Sequence, residues 1–395
     1  MDTPMKSLIS SGKYKYFSKL IDKYPNFFVF VKKYKFPVVL LISFIVIFTI
    51  VVFSYSLITP NSSDSKKPAA TLQKTSTVSE SSNNNLLKTA CSSAINDYPE
   101  WTKADTDLII WENPDKNFYF RNSPEDDSAK LTSPVPSTET LADMDFIGLN
   151  EISYATTGDN NWKISTLKLN GLGAYDNSLI YEKAKAVSSI NTSPISKNEY
   201  AVLIINGNKG VLKHINTNSS KEETILELPS INTKKVKLAV SPKGTYVYLL
   251  QNDSLIFFEI ASKKQIDKIN SAGSAVWVGD EYVLYSGTEG TYVYNLKTKE
   301  KSKLDNPGEV TELTFNPKEG GIIAFNESGN TKIVNCQTWQ IINTKQGAEL
   351  KTLTSEKTAI TQEGNQFGFW RFKDNDWGVK ILEEKSKYVT IWQRY

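Results

Sequence analysis

The sequence of 395 residues is poor in the side chains that bind metals and form disulfide frameworks. It has one histidine, His214, and two cysteines, Cys91 and Cys336. A single histidine excludes a zinc site built from several histidines, and two cysteines exclude a four-thiolate cluster and a disulfide-rich scaffold. A net charge of +3 lacks the basic excess of a dedicated nucleic-acid binder. A hydrophobic content of 39% excludes a chain that is disordered throughout.

Motifs of common enzyme classes are also absent from the sequence. There is no G-x-S-x-G nucleophile elbow, no phosphate-binding glycine loop and no dinucleotide-binding fingerprint. The only residue able to act as a triad base, His214, lies in VLKHINTN, a predicted strand without a flanking acid or nucleophile. The sequence therefore favours a structural histidine. We assign no catalytic and no cofactor-binding residue, and the sequence favours a protein without enzymatic activity.

Three short acidic clusters are candidate calcium ligands, because carboxylate oxygens suit this ion. They are Asp126 with Asp127, Asp143 with Asp145, and Asp374 with Asp376. None matches the twelve-residue loop of dedicated calcium sites, and aspartates also stabilise turns by hydrogen bonding to their own backbone. The sequence predicts no metal site.

One apolar run predicts a membrane anchor. Residues 36–58 contain no charged side chain over 23 positions. As a helix this run spans roughly 35 Å, enough to cross a bilayer core of about 30 Å. Residues 1–35 carry eight lysines against two aspartates, so the positive-inside rule predicts a cytoplasmic basic tail, with residues 59–395 outside. Aromatic residues and lysines alternate in the part of the tail that precedes the span. Together with the span they form residues 14–58, which are expected to contact membrane lipid.

The region after the anchor divides into a linker and a folded domain. Fourteen of residues 61–85 are serine, threonine or asparagine, which predicts a flexible linker over 59–86. All eight tryptophans lie in residues 87–395, the predicted extracytoplasmic domain. Forty-three lysines against three arginines indicate an AT-rich genome and hence a bacterial cell envelope.

A repeat of hairpin turns predicts the architecture of this domain. Short apolar runs flank polar turns near Asp115, Gly158, Gly207, Asn252, Thr288, Ser328 and Asn375, at spacings of 43, 49, 45, 36, 40 and 47 residues. A mean near 43 is typical of one four-stranded propeller blade, so we predict an all-β propeller of seven blades. Residues 388–395 are expected to form a final strand that either pairs at the start of the domain or completes blade seven. A β-sandwich, or two in tandem, is the alternative fold.

Two units resemble a known family. The run VKLAVSPKGTYVYLLQNDSLIFFEIASKK at 236–264 resembles a blade of TolB-type and WD-repeat-like propellers, whose motif is a strand, a Ser-Pro-Asp-Gly turn and a strand. Lys243 stands here in place of the aspartate, and residues 314–325 are a looser copy. A cytoplasmic tail, a single span and an outer propeller are also similar to dipeptidyl-peptidase-type proteins. Those carry a hydrolase domain after the propeller, whereas this sequence ends at Tyr395, directly after the last predicted blade.

Cysteines and aromatic residues leave two alternatives open. Cys91 and Cys336 both lie on the predicted outer side, where an oxidising environment permits a disulfide between them; two unrelated core residues are the other interpretation. Five aromatic residues could line a ligand surface, although packing between blades is the favoured interpretation. These are Trp162, Trp277, Tyr292, Trp370 and Trp377.

These features lead to two main hypotheses of function. The first is a single-pass, membrane-anchored extracytoplasmic propeller that binds a protein or envelope component without catalysis and without nucleic acid. The second is an envelope hydrolase or lyase, acting on glycans through carboxylates in the propeller channel. A sensor that signals inward ranks last, because 35 cytoplasmic residues are too few for a folded output domain.

Overall fold

The computed structural model describes residues 84–103, 109–112, 118–121, 129–131, 133–170, 175–232, 236–304, 310–318, 321–364, 366–373 and 390–392. The basic tail 1–35, the apolar run 36–58 and the linker residues up to 83 lie outside this range. Within it, no helix has the length and apolar character needed to cross a membrane.

Seven antiparallel sheets make up the described domain. Sheet 1 contains β1 (Ile109–Glu112), β2 (Phe118–Arg121), β3 (Ala129–Leu131) and the last strand, β27 (Thr390–Trp392). Sheet 2 contains β4 (Thr140–Gly148), β5 (Glu151–Thr157), β6 (Trp162–Leu169) and β7 (Tyr175–Lys183). Sheet 3 contains β8 (Ser189–Ser196), β9 (Glu199–Asn206), β10 (Lys209–Asn216) and β11 (Lys221–Leu228).

The remaining sheets repeat the same strand order. Sheet 4 contains β12 (Val236–Val240), β13 (Tyr246–Gln251), β14 (Ser254–Glu259) and β15 (Lys264–Asn270). Sheet 5 contains β16 (Ala272–Trp277), β17 (Tyr282–Gly287), β18 (Gly290–Asn295) and β19 (Lys301–Lys303). Sheet 6 contains β20 (Val310–Asn316), β21 (Ile322–Glu327), β22 (Asn330–Asn335) and β23 (Ile341–Lys345). Sheet 7 contains β24 (Glu349–Leu353), β25 (Thr358–Glu363) and β26 (Gln366–Arg371).

The sheets form a closed β-propeller around a central channel. Their first strands contact one another in ring order: β27 contacts β4, β4 contacts β8, β8 contacts β12, β16 contacts β20, β20 contacts β24, and β24 returns to β27. Sheet 4 contacts β16 through β13 and β14. A β-sandwich would stack two sheets face to face, so this radial arrangement excludes the alternative fold.

Six of the sheets are complete four-stranded blades. The prediction of seven such blades is not met, because sheet 7 has three strands in the described part of the chain. The sequence placed a hairpin near Asn375 in that unit, and residues 374–389 lie outside the described range.

Pairing of the chain ends closes the ring. Strand β27 takes the first position of sheet 1 and pairs antiparallel with β1, with Ile110 opposite Trp392, Trp111 opposite Ile391 and Glu112 opposite Thr390. Of the two placements open for the final strand, the structure therefore has the one in which it joins the start of the domain.

Both faces of the central strands are buried, which explains their nearly continuous apolar sequence. On β9, Ala201 and Leu203 pack against Val247 of sheet 4. The alternate residues of the same strand, Tyr200 and Val202, belong to a cluster shared with sheet 2. Side chains of a strand alternate between faces, so each blade is buried by its two neighbours and cannot stand alone.

Helix α1 (Asn84–Asp97) precedes the propeller and begins before the predicted domain boundary at residue 87. Leu87, Ala90, Cys91 and Ala94 on one face are fully buried in a cluster with residues of sheets 5 and 6, including Val278. The all-β prediction did not include this helix. Spacings of three and four residues between these small apolar side chains give the buried face of a helix, but alanine and cysteine make the pattern weak.

A disulfide joins the helix to the ring. Cys91 is bonded to Cys336, which follows β22, across a sequence separation of 245 residues and with Cα atoms 5.8 Å apart. Both residues are fully buried. The bond holds helix α1 against sheet 6 and closes a loop that includes most of the propeller.

Reduction of this bond should destabilise the full-length protein. The chain-entropy model gives a loss of about 5.5 kcal/mol in the free energy of unfolding for so long a loop. Denaturant titration with and without reductant measures the loss. The Cys91→Ala/Cys336→Ala double variant is the control and should not respond to reductant. Equal unfolding midpoints for oxidised and reduced wild-type protein would contradict the stabilising role.

Candidate functional site

A cavity of about 810 Å³ opens where the first strands of sheets 2 to 6 end and their first turns begin. We call this end of the channel, bounded by residues 148–151, 195–197 and 241–242, the channel mouth. Its lining is mainly apolar and includes Phe146, Ile147, Pro194, Ile195, Leu238, Val240, Val276, Trp277 and Phe315. A concave, largely apolar site with a few polar groups is the usual form of a ligand pocket.

The end of helix α1 and the 3₁₀ turn after it (Glu100–Lys103) form part of the cavity wall. Tyr98 donates a hydrogen bond from its hydroxyl to the carbonyl oxygen of Trp277 at 2.8 Å, and its ring centroid lies 5.7 Å from that of Phe315. Trp101 and Thr102 continue the wall. Sequence reasoning missed this wall because it did not predict the helix.

Asp97, the last residue of helix α1, fixes the position of this wall. Its carboxylate accepts a hydrogen bond from the amide of Asp280 at 2.9 Å and pairs with the ammonium of Lys243 at 2.5 Å. Asp97 also holds the pKa of Lys243 above its usual value through this bond. Lysine at the aspartate position of the Ser-Pro-Asp-Gly motif is thus matched by an acid on the helix. A Cβ at Gly279 would lie 2.5 Å from Ser93 Oγ, so glycine permits the close approach of the helix.

The turn that carries Lys243 is held to the next blade. Ser241 donates from its hydroxyl to Asp280 Oδ1 at 2.5 Å, and the amide of Lys243 donates to the same oxygen at 3.0 Å. Gly244 has a φ of +76°, a conformation that glycine adopts without the steric cost of a Cβ. These bonds fix the edge of the channel mouth between sheets 4 and 5.

The first strands are also joined by side-chain acceptors. Asp143 on β4 accepts the amide of Thr192 on β8 at 2.7 Å and that of Met144 at 2.9 Å. Ser193 and Ser274 accept amides of the next blades in the same way, from Val240 at 3.0 Å and from Leu313 at 3.1 Å. Burial raises the pKa of Asp143 to about 6 despite these bonds. Asp143 acts as a link between blades, which accounts for one member of the candidate calcium pair.

Asp145, two residues further along β4, lines the cavity. Burial, followed by the charge of Asp143, raises its pKa well above the usual value. Its carboxyl group makes no hydrogen bond to the described residues and remains neutral over a wider pH range than an exposed aspartate.

Lys237 on β12 is the second ionisable side chain inside the channel, and sequence reasoning gave it no role. It lines the cavity, and its side chain is exposed to the channel. Its ammonium donates to the carbonyl oxygen of Ala275 at 3.1 Å. Partial desolvation inside the channel lowers the pKa of Lys237, and the charge of Glu312 acts in the opposite direction. A lysine within the otherwise apolar strand VKLAV is the signal that could have identified it.

At the rim of the cavity, Glu151 and Lys197 form an ion pair with 2.5 Å between Oε2 and Nζ. The pair joins the first turns of sheets 2 and 3. Lys168 also borders the cavity.

His214 lies on β10, the third strand of sheet 3, and is absent from the cavity wall. Its Nδ1 is 3.8 Å from Glu223 Oε2 and its Nε2 is 3.9 Å from Glu199 Oε1. No serine, threonine or cysteine donates a hydrogen bond to it in the described part of the chain. A nucleophile must lie within hydrogen-bond reach of its base, so the geometry supports the structural interpretation.

The candidate aromatic residues are core residues where the structure describes them. Trp162, Trp277, Tyr292 and Trp370 are each at most 7% exposed. Trp277 nevertheless borders the cavity, with its indole N–H donating to Ala239 O at 3.1 Å. Trp377 and the pairs Asp126/Asp127 and Asp374/Asp376 lie outside the described residues. The described residues contain no group of three or more His, Cys, Asp or Glu side chains suited to a metal ion.

Comparison with known proteins adds no functional assignment. No protein-family model and no curated protein matches the chain. A structure of the mitotic checkpoint complex is similar over 69% of this chain and 90% of its own, with 13% identity and a TM-score of 0.49. Hsv2 of Kluyvelomyces marxianus is similar over 59% of this chain and 72% of its own, with 11% identity and a TM-score of 0.45. An oligogalacturonate lyase in complex with manganese is similar over 69% of this chain and 83% of its own, with 9% identity and a TM-score of 0.45. Because these scores are below 0.5, the assignment of the fold depends on the sheet order.

Replacement of Asp145 by asparagine should stabilise the protein at neutral pH. The folded-state pKa of Asp145 is raised, so the folded protein holds a proton that the unfolded chain releases near pH 4, and stability falls as the pH rises through the folded pKa. Asparagine removes this loss, and we expect a melting temperature higher by roughly 2–4 °C at pH 7.

The difference between Asp145→Asn and wild type should vanish at pH 4, which thermal unfolding of the full-length protein at both pH values measures. The exposed turn residue Asp159 supplies the matched control, Asp159→Asn, which should show no such pH-dependent gain. A variant less stable than wild type at pH 7 would show that Asp145 is charged and stabilised in the folded protein.

Proposed function

We propose that this protein is a membrane-anchored extracytoplasmic propeller that binds a protein or envelope component at the channel mouth and does not catalyse a reaction. The observation that carries the proposal is the cavity of about 810 Å³ at this mouth. Five blades and the segment after helix α1 contribute to its wall, so its shape depends on the packing of several blades. Concave sites built on a rigid scaffold bind with little ordering cost.

The chemistry of the cavity favours binding over catalysis. The single histidine is on another strand, and Ser193 already accepts the amide of Val240 while Ser241 donates to Asp280. Nucleophilic catalysis requires a base beside a free hydroxyl, and the described lining has no such pair.

Location outside the membrane is supported by three features. Residues 36–58 form an uncharged apolar run, and eight lysines precede it. The Cys91–Cys336 bond suits an oxidising compartment. Residues 87–395 carry 35 basic and 39 acidic side chains, a net charge of −4, which supports a partner other than nucleic acid.

Photo-crosslinking in intact cells tests the proposal. Benzoylphenylalanine at Leu149, 43% exposed at the channel mouth, should give a specific cross-linked product containing an extracytoplasmic protein or envelope component. The same residue at Leu179, 55% exposed on the outer strand β7, is the matched control and should not give this product. Equal products from both positions would contradict binding at the mouth, and a cytoplasmic partner would contradict the proposed orientation.

A second candidate function is the glycan-directed hydrolase or lyase. Its support is that two carboxyl groups, Asp145 and Glu151, border one cavity, and glycoside hydrolysis uses two such groups. Glu151 is engaged by Lys197, which weighs against a free role. The test is release of reducing ends from purified cell-wall glycans. This activity should be present in wild type and lost in Asp145→Asn if the second candidate is correct, and absent from both if the binding function is correct.

A further inference from the structure

Two polar side chains from non-adjacent blades enter the apolar cavity from its sides. Asp145 extends from β4 of sheet 2, and Lys237 extends from β12 of sheet 4. Sheet 3 separates these two blades in the ring. The contacts of β8 with both β4 and β12 bring the two groups to one cavity.

Lys237 has hydrogen-bonding capacity that the described residues do not use. An ammonium has three N–H groups, and the only hydrogen bond that it makes to this part of the chain is the one to Ala275 O at 3.1 Å. Glu312 attracts its charge but forms no ion pair with it there. Because the side chain is exposed to the channel, its remaining N–H groups are available to an anion that enters the cavity.

Neither acidic side chain of the cavity wall forms an ion pair with Lys237. Asp145 is held toward its neutral, hydrogen-donating form by burial and by Asp143, so it repels an anion less than an ordinary aspartate. Glu151 is paired with Lys197 at the rim. Of the charged groups that line the cavity, the ammonium of Lys237 is therefore a cation without an ion pair to the described residues and is available to an anionic ligand.

We propose that the channel mouth binds a small organic acid, with the acid's carboxylate at the ammonium of Lys237 and its apolar body against Phe146, Leu238 and Trp277. A volume of about 810 Å³ suits a small molecule, since pockets for such ligands are commonly about 300–1,000 Å³. The inference uses the site of the proposed function and names the chemistry recognised there.

A comparison of one acid with its neutral amide tests this assignment. The probes are 4-phenylbutanoate and 4-phenylbutanamide, titrated into the purified full-length protein in detergent and followed by ligand-observed NMR. Wild type should bind the acid at least about tenfold more tightly than the amide, because only the acid carries a negative charge that pairs with the ammonium.

Variants identify the residue responsible. Lys237→Met should weaken binding of the acid by about tenfold and leave binding of the amide unchanged, whereas Lys237→Arg should retain binding of the acid. Asp145→Asn, which keeps a neutral donor, should also retain it. Lys268→Met on the outer strand β15 removes an exposed lysine and controls for charge effects and for partition of the probes into detergent.

Three results would overturn the assignment. They are equal affinity of wild type for acid and amide, unchanged acid binding by Lys237→Met, and absence of binding of either probe to wild type. Because purified protein is used without a partner, such a failure leaves the cross-linking result at Leu149 unaffected. Conversely, loss of the cross-link with intact acid binding would reject the macromolecular partner and keep the small-molecule site.

Discussion

The pairing of β27 with β1 is the interaction on which the rest of the structure depends. Three residue pairs join the two ends of the domain, and they place β27 between β24 and β4 in the ring of first strands. Each blade buries its faces against its neighbours, so an open ring would expose two apolar faces. The cavity at the channel mouth is lined by five consecutive sheets of this ring.

Helix α1 adds a second constraint that acts at one end of the channel. The Cys91–Cys336 bond and the buried face of the helix hold it on sheets 5 and 6. Asp97 then sets its end by contacts with Asp280 and Lys243. Tyr98 and Trp101 consequently become part of the cavity wall.

The hairpin repeat was readable from the sequence because tight turns demand particular residues. Gly207, Asn252 and Ser328, at the centres of three predicted turns, have φ values of +62°, +46° and +51°, a region that glycine and asparagine enter most easily. Helix α1 was not readable because its buried face consists largely of small side chains. The presence of Asp145 and Lys237 in one cavity was not readable either, since local pattern carries no information on which residues of different blades converge. The acidic cluster of Asp143 and Asp145 did single out that segment, and in the structure Asp143 accepts two backbone amides while Asp145 lines the cavity.

Recognition at the channel mouth is the central claim, and amide hydrogen exchange of the full-length protein with and without 4-phenylbutanoate tests it most directly. The account predicts slower exchange in the ends of the first strands and the turns after them, at residues 145–151, 193–198 and 237–244. Exchange in the outer strands β7 and β15 should be unchanged. Slower exchange confined to those outer strands, or no change at the mouth at a saturating concentration of the acid, would contradict it.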